Sequence, residues 1–399
     1  MRFPGFEGEW EECCFSDIGM FFKGKGISKD QLSESGTPCI LYGELYTKYR
    51  NEVINKVHSR TSIGTKGLIK SKFNDVIIPS SGESALDIAR ACCVNRDDIL
   101  LGGDLNVIRP HKDNGNFISY QINGKRKQAI AKIAQGSSVV HLYNDSLKQI
   151  KMFIPKDINE QNKITNILNL INIRISTQIK IIENLQTLMI GLKEKLFTQQ
   201  LRFKQYSGPN FSDWEEKKFR EVCDVKRGAS PRPISSQKWF DEKSNIGWVR
   251  ISDVTKSNKY LKKTEQYLSP QGVSKSRLVR EGNIIMSICA TIGKPIYTNF
   301  DVCIHDGFVV FENLNLNKEF FYYYLNYIQL NWYKYGQPGT QINLNSEIVN
   351  NETISVPQIE EQTSIVNFLS SVDAKINAEK KILDKYKTQK KYLLQNLLK

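Results

Sequence analysis

The stretch EQNKITNIL, Glu160–Leu168, recurs as EQTSIVNFL, Glu361–Leu369, at an offset of 201 residues. Both stretches follow a proline, Pro155 or Pro357, and both open a segment in which apolar residues recur at alternating spacings of four and three. That spacing is typical of the seam along which one α-helix packs against another in a coiled coil. The sequence therefore predicts two long helices that are copies of one another.

The seam continues for more than four heptads in each copy. In the first copy its positions are Ile164, Leu168, Ile171, Ile175, Gln178, Ile182, Leu185, Met189, Leu192 and Leu196. In the second copy they are Ile365, Leu369, Val372, Ile376, Glu379, Leu383, Tyr386, Lys390, Leu393 and Leu397. At about 1.5 Å per residue each helix would run roughly 55 Å. A narrow seam of that length suits another helix better than the surface of the helix's own globular domain, so we expect the two helices to pair.

One seam position is polar in both copies, where it is occupied by Gln178 and by Glu379. A polar group inside a coiled-coil seam costs stability but can fix the register of the two helices. The sequence leaves two interpretations open, because the pair can either set the register or be a tolerated gap in an apolar stripe.

The repeat extends outward from the helices to almost the whole chain, with Trp10 matching Trp214 near the start of each copy. The parts before the helices contain short apolar runs, such as Val76–Ile78, Ile284–Met286 and Phe308–Phe311, separated by Gly, Asn and Ser turns. We therefore predict an α+β protein in which two globular domains, residues 1–158 and 204–358, alternate with two long helices, residues 159–203 and 359–399.

The charge of the chain points to a polyanionic partner. Its 399 residues suffice for two or three domains, and they include 56 Lys and Arg against 42 Asp and Glu, a net charge of +14. The excess is shared, since residues 1–200 carry +6 and residues 201–399 carry +8. Positive charge spread over folded sequence attracts phosphates and releases their counterions. The alternative at this level is a basic protein without such a partner.

Several other classes of protein do not fit the sequence. It contains no run of about 20 apolar residues and its first residues have no apolar signal core, so we expect a cytoplasmic chain with no membrane partner. The eight cysteines show neither the density of a disulfide scaffold nor zinc-binding spacing, and the four histidines form no metal-binding arrangement. We therefore predict no metal site.

Two partial motifs do not establish catalysis. Gly19–Lys25 fits the start of a P-loop, but Gly26 stands where Mg²⁺ binding requires Ser or Thr. Phe22–Gly26 has the F-x-G-x-G form found in adenosylmethionine-dependent methyltransferases, yet the chain lacks the Pro-Pro that an adenine methyltransferase needs to hold the flipped base. We predict no catalytic residues in this chain.

The chain resembles the specificity (S) subunits of type I restriction-modification systems over nearly its whole length. The resemblance rests first on the two Pro-x-x-x-x-Glu-Gln-x-x-Ile motifs, which begin at Pro155 and Pro357 and differ by one residue in their spacing, and on Gly191–Phe197. Further stretches resemble two subtypes of target-recognition domain. They are Gly24–Lys29, Ile40–Tyr46, Ile78–Glu83 and Leu101–Asn106 in the first copy, and Gly228–Pro231, Trp239 and Trp248–Val254 in the second.

This resemblance implies a function and a set of partners. It implies that the two helices pair in antiparallel fashion, that a pseudo-twofold repeat gives each target-recognition domain one half of a bipartite double-stranded DNA site, and that helix length sets the gap between the half-sites. It also implies a non-catalytic chain that acts with two methyltransferase subunits and two restriction and motor subunits. Those partners would use adenosylmethionine, ATP and Mg²⁺, and this chain would bind no cofactor.

Candidate DNA-contacting residues are polar or basic side chains on loops of each globular part, since such groups bond to phosphates and to base edges. In the first part they are Lys23, Lys25, Ser28, Lys29, Tyr42, Glu44, Ser80, Ser81, Lys125, Arg126 and Lys127. In the second they are Lys226, Arg227, Ser230, Arg232, Thr340 and Gln341. For each lysine the alternative is a solubilising surface charge. We expect Trp239 and Trp248 to belong to the core.

Two other functions remain open from the sequence. One is a structural coiled-coil adaptor whose basic domains bind nucleic acid or protein. The other is a self-contained DNA methyltransferase or nuclease, although the repeat leaves no room for a separate catalytic domain.

Overall fold

The structure is a computed structural model that describes residues 2–205, 211–335 and 344–399. Its contacts divide the chain into two compact units. The first unit contains Met1–Ile181 and Glu379–Lys399, and the second contains Ile182–Ala378. Each unit therefore combines a globular part with segments of both long helices.

The two long helices are Ile158–Phe197 and Ile359–Asn396, here called the first and second long helix. All twenty seam positions are buried or half-buried, as an apolar seam that packs against another surface requires. The seam is therefore the face by which each helix packs inside the protein.

In the first unit the two helical segments run antiparallel. Ile164 and Leu168, near the start of the first long helix, belong to one buried cluster with Leu397, at the end of the second. Further along the first helix, Gln178 donates a hydrogen bond from Nε2 to the backbone oxygen of Glu379 at 3.2 Å. Because the contacts advance along one helix as they recede along the other, the antiparallel pairing that the resemblance implied is confirmed.

The second unit contains the corresponding arrangement. Met189 and Leu196 of the first long helix share a buried cluster with Ile365, Leu369 and Ile376 of the second. Here too, residues near the end of one helix share a buried cluster with residues near the start of the other. The two units thus use equivalent halves of the two helices.

Both units contain a five-stranded sheet with the same strand order. In the first unit the order is Gly19–Lys23, Leu105–Pro110, Asp75–Pro79, Cys92–Val94 and Val53–Ile54. In the second it is Asp224–Arg227, Phe308–Glu312, Ile284–Ser287, Pro295–Thr298 and Tyr260–Leu261. Only the last pairing of each sheet is parallel. The internal repeat is therefore a repeat of topology as well as of sequence.

Each unit adds a second sheet and short strand pairs. In the first unit the four-stranded sheet has the order Leu100–Leu101, Thr37–Ile40, Ser59–Thr61 and Leu32–Ser33, and the pairs are Glu11–Cys14 with Lys151–Ile154 and Ser81–Gly82 with Val140–His141. In the second unit the four-stranded order is Gln266–Tyr267, Gly247–Val249, Val302–Ile304 and Arg277–Val279, and the pair is Glu215–Lys218 with Thr353–Val356.

Short helices complete the two units. Those of the first unit are Phe15–Ile18, Glu44–Thr47, Ala85–Ile88, Gly115–Asn123, Lys127–Ile133 and Asn144–Lys148, with a 3-10 helix at Lys29–Gln31. Those of the second are Phe219–Val222, Ile251–Lys256, Pro270–Ser274, Lys318–Tyr327 and Ser346–Asn351, with 3-10 helices at Gln237–Trp239 and Ile328–Tyr335.

The apolar runs read from the sequence form central strands. Val76–Ile78, Ile284–Met286 and Phe308–Phe311 lie within strands of the two five-stranded sheets and are fully or almost fully buried. Continuous apolar runs of this kind are typical of strands covered on both faces. The α+β prediction is confirmed.

Trp239 and Trp248 are also buried. Among the described residues, no helix is long and apolar enough to cross a membrane. In that same part of the chain, His, Cys, Asp and Glu side chains form no group of three or more that could hold a metal ion.

Candidate nucleic-acid interface

The repeated Glu-Gln motif attaches the first globular part to its long helix. Glu160 is 1% exposed and accepts hydrogen bonds from the Arg2 guanidinium at 2.8 Å and from the Trp10 indole at 3.2 Å. Gln161 donates to the carbonyl of Pro155 at 3.0 Å and accepts from the backbone N–H of Asn114 at 2.9 Å. The first turn of the helix is therefore held on several sides by the domain.

The second globular part repeats this attachment with equivalent residues. Glu361 is fully buried and accepts from the Arg202 guanidinium at 2.8 Å and from the Trp214 indole at 3.0 Å. Gln362 donates to the Pro357 carbonyl at 2.9 Å, while its side-chain oxygen accepts from the backbone of Asn317. The sequence motif is thus a structural joint, and its one-residue difference in spacing leaves the hydrogen bonds intact.

A tyrosine makes a further equivalent bond in each unit. The hydroxyl of Tyr120 donates to Asn169 at 2.7 Å, and that of Tyr323 donates to Asp373 at 2.7 Å. Both tyrosines lie on the helix that covers the five-stranded sheet, and both acceptors lie on a long helix. These bonds fix the sheet of each unit relative to the helix segments of the same unit.

The first candidate loop begins where the edge strand Gly19–Lys23 ends. The backbone N–H groups of Gly24 and Lys25 donate to the carbonyls of Leu105 and Leu101, each at 2.9 Å, which holds the loop against the sheet. A Cβ atom on Gly24 would lie 2.0 Å from the Gly102 carbonyl oxygen, so only glycine permits this close approach. Lys23, Lys25, Ser28 and Lys29 are all exposed. A fixed loop therefore presents basic and polar side chains to solvent.

The second candidate loop lies at the equivalent place in the second unit. It follows the edge strand Asp224–Arg227, and Gly228 donates its N–H to Phe308 at 2.9 Å. A Cβ atom on Gly228 would lie 2.1 Å from the His305 carbonyl oxygen, which repeats the constraint seen at Gly24. Arg227 and Arg232 are exposed. The same structural position therefore carries a basic loop in both copies.

The structure orders the second loop around Asp306. Its carboxylate accepts from the Ser230 hydroxyl at 2.6 Å, and its backbone oxygen accepts from Arg227 Nε at 2.8 Å. The hydrogen bond from Ser230 holds the pKa of the Asp306 carboxyl below its ordinary value, so this side chain stays ionised near neutral pH. Arg227 and Ser230 are thus brought together, while the ammonium group of Lys226 pairs with Glu312 at 2.7 Å.

Three first-unit candidates have side chains that make contacts within the unit. Glu44 is buried and accepts hydrogen bonds from Lys48, Ser59 and the backbone of Leu41. Ser80 is buried beside Asp104, and its hydroxyl is 3.4 Å from that carboxylate.

Arg126 is the third of these residues. It is half-buried, and its guanidinium lies over the Phe153 ring and donates to the backbone of Lys399 at 2.8 Å. Burial lowers its pKa. A side chain held in this way packs against the unit.

The remaining first-unit candidates are accessible to different degrees. Tyr42 and Lys125 are exposed, and Lys127 is half-buried. Ser81 is half-buried, and its hydroxyl is 3.3 Å from His141 Nδ1. Thr340 and Gln341 of the second candidate set lie outside the described residues.

Sequence reasoning missed an aromatic side chain, Tyr143, beside the first candidate loop. The ammonium group of Lys23 lies 5.7 Å from the centre of the Tyr143 ring, which is 45% exposed and stacks on His141. Ser81, His141 and Tyr143 come together because Ser81–Gly82 pairs with Val140–His141. An exposed aromatic ring beside a lysine offers both a stacking face and a charge, but residues this far apart in sequence give no local signal.

Sequence reasoning also missed Asp306, Arg250 and Arg277 in the second unit. Arg277 donates to the carbonyl of Arg227 at 2.5 Å, and Arg250 donates to Gln266 at 2.9 Å while its guanidinium lies over Trp248. Arg250 lies within residues 248–254, one of the stretches on which the family resemblance rests. That resemblance was the sequence signal that could have identified Arg250. The others are brought to the loop by strand pairing.

A repeated α+β module on paired helices, with a fixed basic loop at the same place in each copy, is the architecture of a modular nucleic-acid recognition protein. The family described as type I restriction modification DNA specificity domain matches residues 7–186 and again residues 211–387. Because these two matches cover most of the chain, the chain belongs to that family. Its globular parts are DNA target-recognition domains, and the family acts in DNA recognition.

Two curated relatives agree with this assignment. The type I restriction enzyme MjaVIII specificity subunit of Methanocaldococcus jannaschii is 24% identical, over 98% of this chain and 92% of that protein. The putative type I restriction enzyme MjaX specificity subunit of the same organism is 26% identical, over 75% of this chain and 71% of that protein.

Solved structures share the fold at low sequence identity. The type I restriction-modification S subunit from M. genitalium is 16% identical and aligns with a TM-score of 0.59 over 99% of this chain and 97% of that one. A chain from a structure of type I restriction-modification complex assembly and conformational transition is also 16% identical, with a TM-score of 0.66 over 98% of this chain and 99% of that one.

Proposed function

We propose that this chain reads a bipartite double-stranded DNA site, with one target-recognition domain on each half-site. The observation that carries the proposal is the equivalent placement of the two candidate loops. Each follows the first strand of a five-stranded sheet and each begins at a glycine pressed against a neighbouring backbone. Fixed loops keep basic side chains in place for groove or phosphate contacts at little entropic cost.

The proposal assigns the chemistry to other subunits. Methyltransferase subunits, two per complex, would use adenosylmethionine, and two restriction and motor subunits would use ATP and Mg²⁺. The first long helix offers a surface for such partners, because Leu170 and Ile173 are 59% and 61% exposed one turn apart. Exposed apolar residues at helical spacing on a helix whose opposite face is already packed are typical of a docking face.

Single substitutions in the two loops test which half-site each domain reads. We expect Lys23→Ala and Arg227→Ala, in the assembled methyltransferase complex, to weaken binding to the specific duplex. A base contact should cost about 1–3 kcal/mol and relax one position of one half-site. A phosphate contact should cost less, act on every sequence, and reduce the salt slope of log affinity by about one. Arg232→Ala tests the exposed end of the second loop in the same way.

The measurement is duplex affinity as a function of salt, with each position of the two half-sites varied in turn. Arg220→Ala removes the same charge from an exposed position before the start of the strand Asp224–Arg227, and it serves as the matched control. Unchanged affinity and specificity in all three loop variants would refute the assignment of these loops to DNA.

A further inference from the structure

The residue before the last strand of the five-stranded sheet carries opposite charges in the two units. Glu52 precedes Val53–Ile54, and its carbonyl accepts from the N–H of Cys93 at 2.8 Å. Lys259 precedes Tyr260–Leu261, and its carbonyl accepts from the N–H of Tyr297 at 2.9 Å. Because strand order, direction and this hydrogen bond all agree, Glu52 and Lys259 occupy equivalent places.

In the first unit, Glu52 at this place forms an ion pair with a lysine of the second long helix. The Lys390 ammonium group lies 2.7 Å from the Glu52 carboxylate, and the two side chains are only 17% and 8% exposed. Asn172 of the first long helix donates to the same carboxylate at 2.9 Å. Lys390 and Glu379 are the two charged positions in the seam of the second helix, and the ion pair with Glu52 stabilises the lysine there.

In the second unit the seam position equivalent to Lys390 is Met189. Met189 is buried in the cluster that contains Tyr322 and Tyr323. Lys259 instead pairs with Glu319, and its ammonium group lies 5.1 and 5.2 Å from the ring centres of those two tyrosines. In the second unit the lysine therefore has its acidic partner within its own domain, and the seam position of the long helix is neutral.

We propose that Glu52, Lys259, Lys390 and Met189 form a pairing code that joins the two different repeats and rejects a second copy of the same repeat. If two first repeats paired, Met189 would replace Lys390 beside Glu52 and leave a buried carboxylate without its cation. If two second repeats paired, Lys390 would replace Met189 in the buried cluster that contains Tyr322 and Tyr323, the two rings beside Lys259. A complex of identical first repeats would therefore leave a buried carboxylate unpaired at both of its sites, and exchange of the repeats cannot proceed without forming that complex.

The size of the effect follows from the burial of the pair. Removing one partner of a buried ion pair disfavours the state by at least about 100-fold, and a complex of identical repeats would contain two such sites. The native chain should therefore form complexes of identical repeats at less than about 1%.

An exchange experiment on the nicked full-length chain measures this preference. A protease site is inserted between Gln205 and Phe211, the purified chain is cut there, and both halves are unfolded together in urea and refolded by dilution. Native mass spectrometry then counts complexes of unlike halves and complexes of identical halves. No DNA is present, so the result is independent of the proposed DNA reading.

The neutral variant Glu52→Gln with Lys390→Met provides the decisive comparison. It leaves no charge at either position in any combination of repeats. Identical first repeats would then no longer contain a buried carboxylate without its cation. We expect identical-half complexes to rise at least about tenfold.

Two single substitutions on the second long helix complete the comparison. Lys390→Met copies the residue of the first repeat and should also raise the share of identical-half complexes. Lys391→Met changes an exposed neighbour and should leave the native preference intact.

Refolding of the native nicked chain to a statistical mixture of the three possible complexes would overturn the proposal. So would neutral-variant and Lys390→Met chains that keep the native exclusion of identical halves.

Discussion

Replacement of Glu361 by alanine is expected to lower the free energy of unfolding of the second unit by about 3–5 kcal/mol. The Glu361 carboxylate is fully buried and is the acceptor for both the Arg202 guanidinium and the Trp214 indole. Without it the guanidinium loses the hydrogen bond that raises its pKa, and the indole N–H of the half-buried Trp214 loses its acceptor. The first turn of the second long helix would then be attached by Gln362 without the ion pair.

The measurement is thermal unfolding of the full-length chain, and for a unit of this size the transition should fall by roughly 6–20 °C. Glu360→Ala is the matched control, since Glu360 is the neighbouring glutamate on the same turn and is exposed. Glu160→Ala should produce the equivalent loss in the first unit. Equal unfolding temperatures for Glu361→Ala and Glu360→Ala would contradict the structural role of the motif.

Removal of one heptad from both long helices should shorten the preferred gap between half-sites while both half-site sequences are kept. Deletion of residues 175–181 together with residues 376–382 removes equivalent seam positions, and the Gln178 and Glu379 pair leaves as a unit. Seven helical residues span about 10 Å, and stacked base pairs are about 3.4 Å apart, so the gap should shorten by up to about three base pairs. The prediction follows from the expectation, implied by the family resemblance, that helix length sets the gap between the half-sites.

The assay is the mapping of methylated bases in cells that produce the shortened chain with its methyltransferase partner. A deletion from one helix alone is the control, and it should abolish methylation because the two seams no longer match. A doubly deleted chain that methylates sites with the original gap would refute the measuring role of the helices.

The helices were predictable from sequence because a coiled-coil seam is a local, periodic signal. Every predicted seam position is buried or half-buried, and even the polar position was marked by its recurrence. The structure favours the register interpretation for that position, since Gln178 bonds to Glu379 directly. It also accounts for Lys390, whose partner Glu52 lies 338 residues away in sequence.

The candidate interface was only partly predictable, because exposure depends on contacts that sequence spacing does not encode. Glu44 and Ser80 are residue types that can bond to DNA from a loop, but strand and helix packing buries them. Asp306 and Tyr143 have no local motif, and they reach the candidate loops through strand pairing and ring contacts. The two candidate loops carry a sequence signal, because each contains a glycine near basic residues, and the structure shows that only glycine fits at Gly24 and Gly228.

A domain exchange followed by mapping of methylated bases tests the assignment of one half-site to each domain. Residues 211–356 are replaced by the corresponding domain of a relative whose recognition site is known, while the long helices and residues 1–158 are kept. We predict a bipartite site in which one half-site changes to that of the donor, and the other half-site and the gap stay the same. A site in which both half-sites change, or a continuous site with no gap, would show that the two domains do not each read one half-site.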